Sequence, residues 1–342
     1  MIAPGSDRTD VLVLIPIYND WAAVRLLLVD LDHVLVDTGL SADILLVDDG
    51  STIQPPASWE VERWRALRRI DILSLRRNVG HQRAIAIALA FVDQHLAPAA
   101  VVIMDGDGED AAADVPRLLA CLRDHQGTTV VFAERTRRSE SLMFRIFYTL
   151  YRWMHLLLTG IPVRVGNFSA IPASQLRRVV VVSELWNHFA AAVFKAKLPR
   201  ASVRTTRAAR LAGESRMNFV ALVTHGLSAL SVHSELIGVR LLVLTAVLVS
   251  VMVAALLVVV GIRFGTSLAI PGWTSTVAGL LLILLLQALA FAAFFAFLVL
   301  HARSQPTFVP LRDYRYFVDR ASSRLTIDVP EHASMGAPAA ND

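Results

Sequence analysis

A run of carboxylates begins where the apolar stretch Ala100–Met104 ends: Asp105-Gly106-Asp107-Gly108-Glu109-Asp110. Aspartates at i and i+2 just past a strand can converge on one divalent cation, and their hard oxygens suit Mg²⁺ or Mn²⁺. Such cations are commonly held by one or two carboxylates, with substrate phosphates completing the shell. The interleaved glycines let the backbone come close to a diphosphate. A calcium loop of the helix–loop–helix type does not fit, because its glutamate at the twelfth position and its two flanking helices are missing. A solvated acidic turn is the plain alternative. A second cluster, Val47-Asp48-Asp49-Gly50-Ser51, offers a carboxylate able to accept hydrogen bonds from a ribose or a base, with Gly-Ser making the turn. A role in the turn alone stays open. A third, Pro16-Ile17-Tyr18-Asn19-Asp20, ends an apolar run and offers Asn19 or Asp20 as cap of the following helix.

These clusters need a frame. Short β-branched or Leu-rich runs occur at Val11–Ile15, Ile44–Val47, Ile70–Leu75, Ala100–Met104 and Thr129–Phe132, with helical stretches Ala22–Val36, Gln82–His95 and Val115–His125 between them. That alternation predicts an α/β fold with a doubly wound, mainly parallel sheet. Ligands of such sheets bind at the carboxyl ends of the strands, where the polar clusters fall.

The remainder of the chain is of another kind. Hydrophobic residues make up 55 % of the 342 and charged residues 18 %, against roughly 45–50 % and ~25 % in ordinary soluble domains. Disorder is excluded by that balance. The lone Cys121 can form neither an internal disulfide nor a cysteine metal cluster, which fits a reducing compartment. The apolar excess is concentrated in Leu241–Ile262, uncharged between Arg240 and Arg263, and in Val277–Leu300, where Gln287 is the strongly polar residue. At ~1.5 Å per residue the first run covers ~33 Å, enough to cross a hydrocarbon core of ~30 Å. Two transmembrane helices are predicted over 239–300, joined by an external loop at 263–276. Arginines set the orientation. Arg204, Arg207, Arg210, Arg216 and Arg240 precede the first span, and Arg303, Arg312, Arg315 and Arg320 follow the second, so both termini are expected on the cytoplasmic side of a bacterial inner membrane. The Val11–Ile17 run is too short for a signal peptide. Residues 143–158 and 218–238 read as amphipathic helices suited to the membrane surface, residues 1–217 as the cytoplasmic domain, and 301–342 as a cytoplasmic tail with a disordered end. A pI of 9.6 is the sole hint of nucleic acid. Positive-inside topology accounts for it better, so no nucleic-acid partner is expected.

Together, Val11-Leu-Val-Leu-Ile-Pro16-Ile-Tyr18-Asn19-Asp20, Val47-Asp-Asp-Gly-Ser51, Arg77-Asn78-Val-Gly80 and Asp105-Gly-Asp107-Gly-Glu109-Asp110 resemble, in order and spacing, the family-2 inverting glycosyltransferases. Phe132-Ala-Glu-Arg135 and Arg210-Leu-Ala-Gly213-Glu-Ser215-Arg216 sharpen the likeness to its polyprenyl-phosphate branch, which includes dolichol-phosphate mannose synthases and bacterial undecaprenyl-phosphate sugar transferases. The resemblance implies a GT-A-like domain with a base and ribose pocket from Pro16, Tyr18, Asp20 and Asp48, joined on the nucleotide-sugar side by Asn78 and Gly80. It implies a metal and diphosphate pair, Asp105 and Asp107, with Glu109 standing where relatives have a metal-side glutamine. Arg135, Arg210, Ser215 and Arg216 fall where the branch holds acceptor and donor phosphates, and Arg216 replaces the usual lysine. Asp110 would orient the acceptor or serve as a base. Asn167 replaces an aspartate of a Gly-Asp-Phe-Arg-like stretch, and with Trp186 and His188 marks the sugar side. A satisfied core histidine is an equally good reading of His188. The branch also implies Mg²⁺ or Mn²⁺ as cofactor, a nucleotide-diphosphate sugar (a UDP-sugar by default) and polyprenyl phosphate as substrates, and a homotetramer. Three alternatives remain: a sugar transferase acting on another lipid such as diacylglycerol, a polysaccharide synthase, and an inactive membrane scaffold. The synthase is weakened because neither Arg-Trp pair, Arg63-Trp64 upstream of the acidic loop or Arg152-Trp153 downstream of it, carries the expected glutamine three residues before its arginine. The scaffold predicts eroded carboxylates, and these are intact.

Overall fold

A computed structural model of the chain describes residues 10–55, 64–135, 142–160, 165–213, 219–266, 270, 272–304 and 308–326. The elements run, in chain order, β1 (Val11–Ile17), α1 (Trp21–Asp37), β2 (Ala42–Asp48), β3 (Leu67–Leu75), α2 (His81–His95), β4 (Ala100–Ile103), α3 (Val115–Asp124), β5 (Val130–Arg135), α4 (Leu142–Thr159), β6 (Val165–Pro172), α5 (Ala173–Val179), α6 (Phe189–Lys195), β7 (Arg200–Thr205), α7 (Phe219–Ser231), α8 (Ser234–Gly265), α9 (Trp273–Ser304), α10 (Pro310–Asp313) and β8 (Val318–Thr326). Their contacts divide the chain into two units, one of 1–140, 164–222 and 308–342, the other of 141–163 and 223–307.

The first unit is built on one eight-stranded sheet of order β7-β5-β6-β4-β1-β2-β3-β8. Strands β4, β1, β2 and β3 are mutually parallel, as are β5 and β7. Strand β6 runs antiparallel between β5 and β4, and β8 antiparallel along β3. Alternation along β1 shows the double winding. Val13 and Ile15 pack with Val24, Leu28 and Leu31 of α1, while Leu12 and Leu14 pack with Ile85 and Leu89 of α2. Because both faces are covered, β1 is buried along its whole length. Each such fully buried aliphatic side chain contributes about 1.5–3 kcal/mol. Buried Asp32 of α1 closes the amino-terminal edge by accepting the backbone N–H groups of Arg65, Ala66 and Leu67 at 2.9, 2.7 and 3.1 Å. The doubly wound, mainly parallel sheet is therefore as the sequence predicts, with β6, β7 and β8 added to it.

The second unit holds the apolar helices. Helices α8 and α9 are each 32 residues long, and their apolar windows reach mean hydropathies of 3.0 and 2.7. Both are long and apolar enough to cross a membrane. A soluble core helix would bury such side chains, whereas Val251, Leu257, Leu284 and Phe297 are exposed. The two helices approach closely at Gly238, where an added Cβ would lie 2.4 Å from Val299 Cγ2. Arg240 donates to the Leu157 carbonyl of α4 at 3.0 Å, satisfying a carbonyl near that helix's end. The amphipathic stretch expected over 218–238 is interrupted at Val232–His233, and its last residues continue into α8.

Candidate active site

The carboxyl ends of β1 and β2 are tied together by Asn19. Its backbone sits at φ +60°, a left-handed conformation that asparagine tolerates better than most residues. Its side-chain oxygen accepts the N–H groups of Thr52 and Ile53 at 2.8 and 2.9 Å, while its own N–H donates to Ser51 Oγ at 2.9 Å. Asp48 accepts the Ser51 N–H at 2.8 Å, and Trp21 Nε1 donates to the Ile53 carbonyl. The expected side-chain cap on α1 is not formed. Asn19 is committed to the 51–53 loop, and Asp20 pairs instead with Arg210 at 3.1 Å. Pro16 pairs in register with Val47 at the end of β1, and Tyr18 is exposed beside it.

Asp49, unassigned by sequence reasoning, positions the next loop. Its buried carboxylate accepts the N–H groups of Val79 and Gly80 at 2.7 and 2.9 Å. Burial raises its pKa to about 6 against the opposing pull of those two hydrogen bonds and of His81. Gly50 completes the arrangement at φ +71°, where a Cβ would stand 2.6 Å from the Asn78 nitrogen. Asn78 and Gly80 are thus held in place by the Asp49-Gly50 turn, and His81 and Gln82 open α2 directly behind them. An Asp-Asp-Gly triplet in a sequence does not say which aspartate is the buried one.

The acidic loop after β4 is threaded by arginines. Asp107 accepts the Glu109 N–H through Oδ1 at 3.0 Å and Arg210 Nη1 through Oδ2 at 3.1 Å. The other arm of Arg210, Nη2, reaches Asp20, so one planar guanidinium bridges the ends of β1 and β4. Arg207 pairs with Glu109. Two backbone hydrogen bonds, Ala208 N–H to the Glu109 carbonyl and Leu211 N–H to the Asp107 carbonyl, hold both arginines over the loop. Gly108 permits this contact, since at φ +82° a Cβ would meet Leu211 Cγ at 2.4 Å. Burial pushes the Asp107 pKa up, helped by Asp105 and Glu109, against the Glu109 N–H and Arg210. Asp110 is buried and accepts the Asp105 N–H at 3.0 Å, a contact that shapes the turn.

Asp105 faces His81 Nε2 at 3.1 Å. Burial opposes charge on this imidazole, but Asp105, Asp110 and Asp49 outweigh it and hold its pKa above the ordinary histidine value. Behind His81 stands Asn167, whose Nδ2 lies 3.0 Å from the same ring nitrogen and whose Oδ1 accepts from Gln82 Nε2 at 3.0 Å. Gln82 Oε1 in turn accepts the Phe189 N–H at 2.8 Å. Asn167 therefore lies one side chain away from the acidic loop.

Among the described residues, no group of three or more His, Cys, Asp or Glu is gathered to hold a metal ion. Asp105 and Asp107 supply the one or two carboxylates that Mg²⁺ or Mn²⁺ takes alongside substrate phosphates, so the donor chemistry fits a phosphate-bridged cation. Glu109, expected as a third ligand, is instead paired with Arg207. Trp186 lies in an aromatic cluster, its ring centroid 3.9 Å from Phe308 and 5.0 Å from Phe317, with the Arg83 guanidinium 5.0 Å away. His188 is buried and caps α6, its Nδ1 facing the Ala191 N–H at 3.4 Å. Arg135 ends β5. Its side chain and all of Ser215 and Arg216 lie outside the described residues.

Residues 12–178 match the family Glycosyl transferase family 2. The chain is 26 % identical over 211 residues to an uncharacterized glycosyltransferase, YkcC, of Bacillus subtilis, covering 60 % of this chain and 62 % of the relative. It is 26 % identical over 168 residues to the undecaprenyl-phosphate 4-deoxy-4-formamido-L-arabinose transferase of Erwinia tasmaniensis, covering 49 % of each. The chain thus spans about half to three fifths of the length of these relatives. Among solved structures, glucosyl-3-phosphoglycerate synthase from Mycobacterium tuberculosis, in complex with Mn²⁺, UDP-glucose and phosphoglyceric acid, is similar at a TM-score of 0.49 and 16 % identity, over 67 % of this chain and 80 % of that one. With an acidic loop at the carboxyl end of a mainly parallel sheet and a family match covering that sheet's core, the chain carries a glycosyl transferase family 2 domain.

Proposed function

We propose that the protein transfers a sugar from a nucleotide-diphosphate sugar, a UDP-sugar by default, to a polyprenyl phosphate at the cytoplasmic face of a bacterial inner membrane, with inversion. The observation that carries this reading is the Arg210 bridge between Asp20 and Asp107. It puts a two-armed guanidinium, a group whose planar fork suits phosphate, at the mouth of the acidic loop, in a chain that also has two outward-apolar helices. The relative named as an undecaprenyl-phosphate transferase supports the same acceptor class.

The acceptor chemistry follows from charge. A phosphate monoester has a second pKa near ~6, so its attacking oxygen is already largely dianionic at neutral pH and needs little help from a general base. That oxygen attacks the anomeric carbon as the bond to the diphosphate oxygen breaks, and the nucleoside diphosphate departs with the bonding electrons. What the site must supply is charge neutralisation at both phosphates. Arg210 serves one of them once it turns from the carboxylates to a ligand, and Arg207 lies beside it. Asp105 and Asp107 would hold a Mg²⁺ or Mn²⁺, which when bound neutralises charge on the leaving diphosphate. Asp49 and Gly50 keep the Asn78–Gly80 loop against the nucleotide side. The lipid tail, held in the bilayer by ~0.8 kcal/mol per buried CH₂, obliges the enzyme to work at the membrane, which α8 and α9 suit.

The test is to incubate detergent-purified protein with Mn²⁺, undecaprenyl phosphate and a panel of nucleotide sugars, with Asp107→Asn as control. Release of nucleoside diphosphate from one donor, together with a glycosyl-phosphate lipid by mass spectrometry, is the expected result. Turnover with diacylglycerol or a growing glycan, and none with the lipid phosphate, would overturn the acceptor assignment.

A further inference from the structure

We propose that Asp319 and Arg320, on the strand that follows the two apolar helices, form the outer wall of the nucleoside pocket and set which base it accepts. This rests on the nucleotide-sugar reading above and adds two residues from the far end of the chain to it.

At the carboxyl ends of β2 and β3 lies a cleft. Asp48 and Ser51 line one side, Ser74 and Arg77 the middle, and Asp319 and Arg320 the other side. Two adjacent residues of a regular strand point to opposite faces, and here both line one cleft. The pairing with β3 explains it. Ser74 is opposite Arg320, but Leu75 is opposite Val318, so Asp319 is an extra residue in a β-bulge. A bulge re-aims side chains, and such bulges occur preferentially at sheet edges and beside active sites.

The bulge is fixed from both sides. The Arg76 N–H donates to the Phe317 carbonyl at 2.9 Å, and Arg76 Nε donates to the Val318 carbonyl at 3.1 Å. Just upstream, Tyr314 is buried with its hydroxyl 2.9 Å from His95 Nε2, and Phe308 and Phe317 pack on Trp186. Residues 308–323 are therefore an anchored part of the catalytic unit, and the two side chains are presented to the cleft by a fixed backbone.

The lining chemistry selects a class of ligand. Carboxylates at Asp48 and Asp319 accept hydrogen bonds, guanidinium groups at Arg77 and Arg320 donate them, and Trp21, Ile53 and Ile72 supply apolar surface. A base edge with a carbonyl beside a ring N–H can meet a donor and an acceptor together. Uracil and guanine have that edge. Cytosine offers the reverse order, an amino group beside a bare ring nitrogen. The order in which carboxylate and guanidinium face the base therefore decides between UDP or GDP and CDP, and the β8 pair, which supplies one of each, should contribute to that preference.

The experiment uses the full chain in detergent with Mn²⁺ and measures calorimetric affinity for UDP, CDP and GDP. Arg320→Ala and Asp319→Ala should each weaken the preferred diphosphate by about tenfold to a hundredfold, the value of one charged hydrogen bond, and narrow its margin over the least favoured one. Arg312→Ala, on the same segment but outside the cleft, should bind like the wild type. A second measurement needs no variant: in the wild type, the preferred diphosphate should slow amide hydrogen exchange over 317–322. Unchanged affinity and selectivity in both variants, or no protection of 317–322 in a wild type that binds, overturns the assignment and leaves the proposed function standing. Failure of the wild type to bind any of the three overturns the nucleotide-sugar reading itself.

Discussion

Asp49 offers a quantitative check on how the site is held. Its carboxylate is 3 % exposed and anchors two backbone N–H groups, yet burial lifts its pKa to about 6, above an unfolded value near 3.9. A carboxyl group with a raised folded pKa binds its proton more tightly in the folded state. Its contribution to stability is therefore full below pH ~4 and is lost as pH rises through about 6. The shift corresponds to a loss of about 3 kcal/mol over that window. Asp49→Asn removes the titration and keeps one acceptor, adding a pH-independent cost of about 1–3 kcal/mol for the N–H left unpaired. Thermal or urea unfolding of both proteins in one detergent, from pH 4 to 8, isolates Asp49 together with its charge coupling to His81, because titrations that Asp49 does not influence cancel in the difference. Wild-type stability relative to the variant should decline between pH 4 and about 6.5 and then level off. A flat difference, or one that rises with pH, refutes the picture of a buried carboxylate held against its own desolvation.

Other outcomes follow from the same geometry. Arg210→Gln should lower turnover by about a hundredfold or more, as loss of one preorganised charge contact does, with an unchanged melting point; undiminished turnover would remove Arg210 from phosphate handling. Gly50→Ala should cost about 1–3 kcal/mol and weaken nucleotide binding, because its Cβ would press on the Asn78 nitrogen, and calorimetry on the purified variant reads both. Gly108→Val should separate the 107–109 and 208–211 segments, read as faster amide exchange at Ala208 and Leu211. Asp32→Ala should destabilise the catalytic unit by about 3 kcal/mol through the stranded N–H groups of 65–67, measurable as a lowered unfolding midpoint with nucleotide affinity unchanged.

What the sequence disclosed, and what it hid, divides along burial. Strands β1 to β5 are apolar runs covered on both faces, so their existence and order could be read directly, and α8 and α9 follow from length and hydropathy. Strand β6 was hidden because Val165–Pro172 carries Gly166, Asn167 and a terminal proline, which read as a turn. Strands β7 and β8 lie at the sheet's edges with polar, partly exposed side chains, where no apolar pattern is required. In the site, the aspartates of the acidic loop are legible by spacing, whereas Arg210 enters through the family resemblance alone. The bridge from Arg210 to Asp20 was not legible, because it joins residues 190 positions apart in the chain. Trp186 and His188, expected on the sugar side, have packing and capping contacts in the structure.

The position of β8 has a consequence for how the protein is made. A growing chain presents β1 to β7 first, and at that stage β3 is a bare edge with an unpaired row of backbone groups. Strand β7 guards the opposite edge with its own exposed Arg200 and Arg204, as edge strands bearing charge commonly do. Strand β3 has to wait for Val318–Thr326, which the ribosome reaches only after both apolar helices have been synthesised. Synthesis of those helices therefore precedes completion of the sheet, and a chain cut before α7 would carry an open edge prone to sticking to other copies. Closure of the sheet is in this way tied to the completion of both apolar helices.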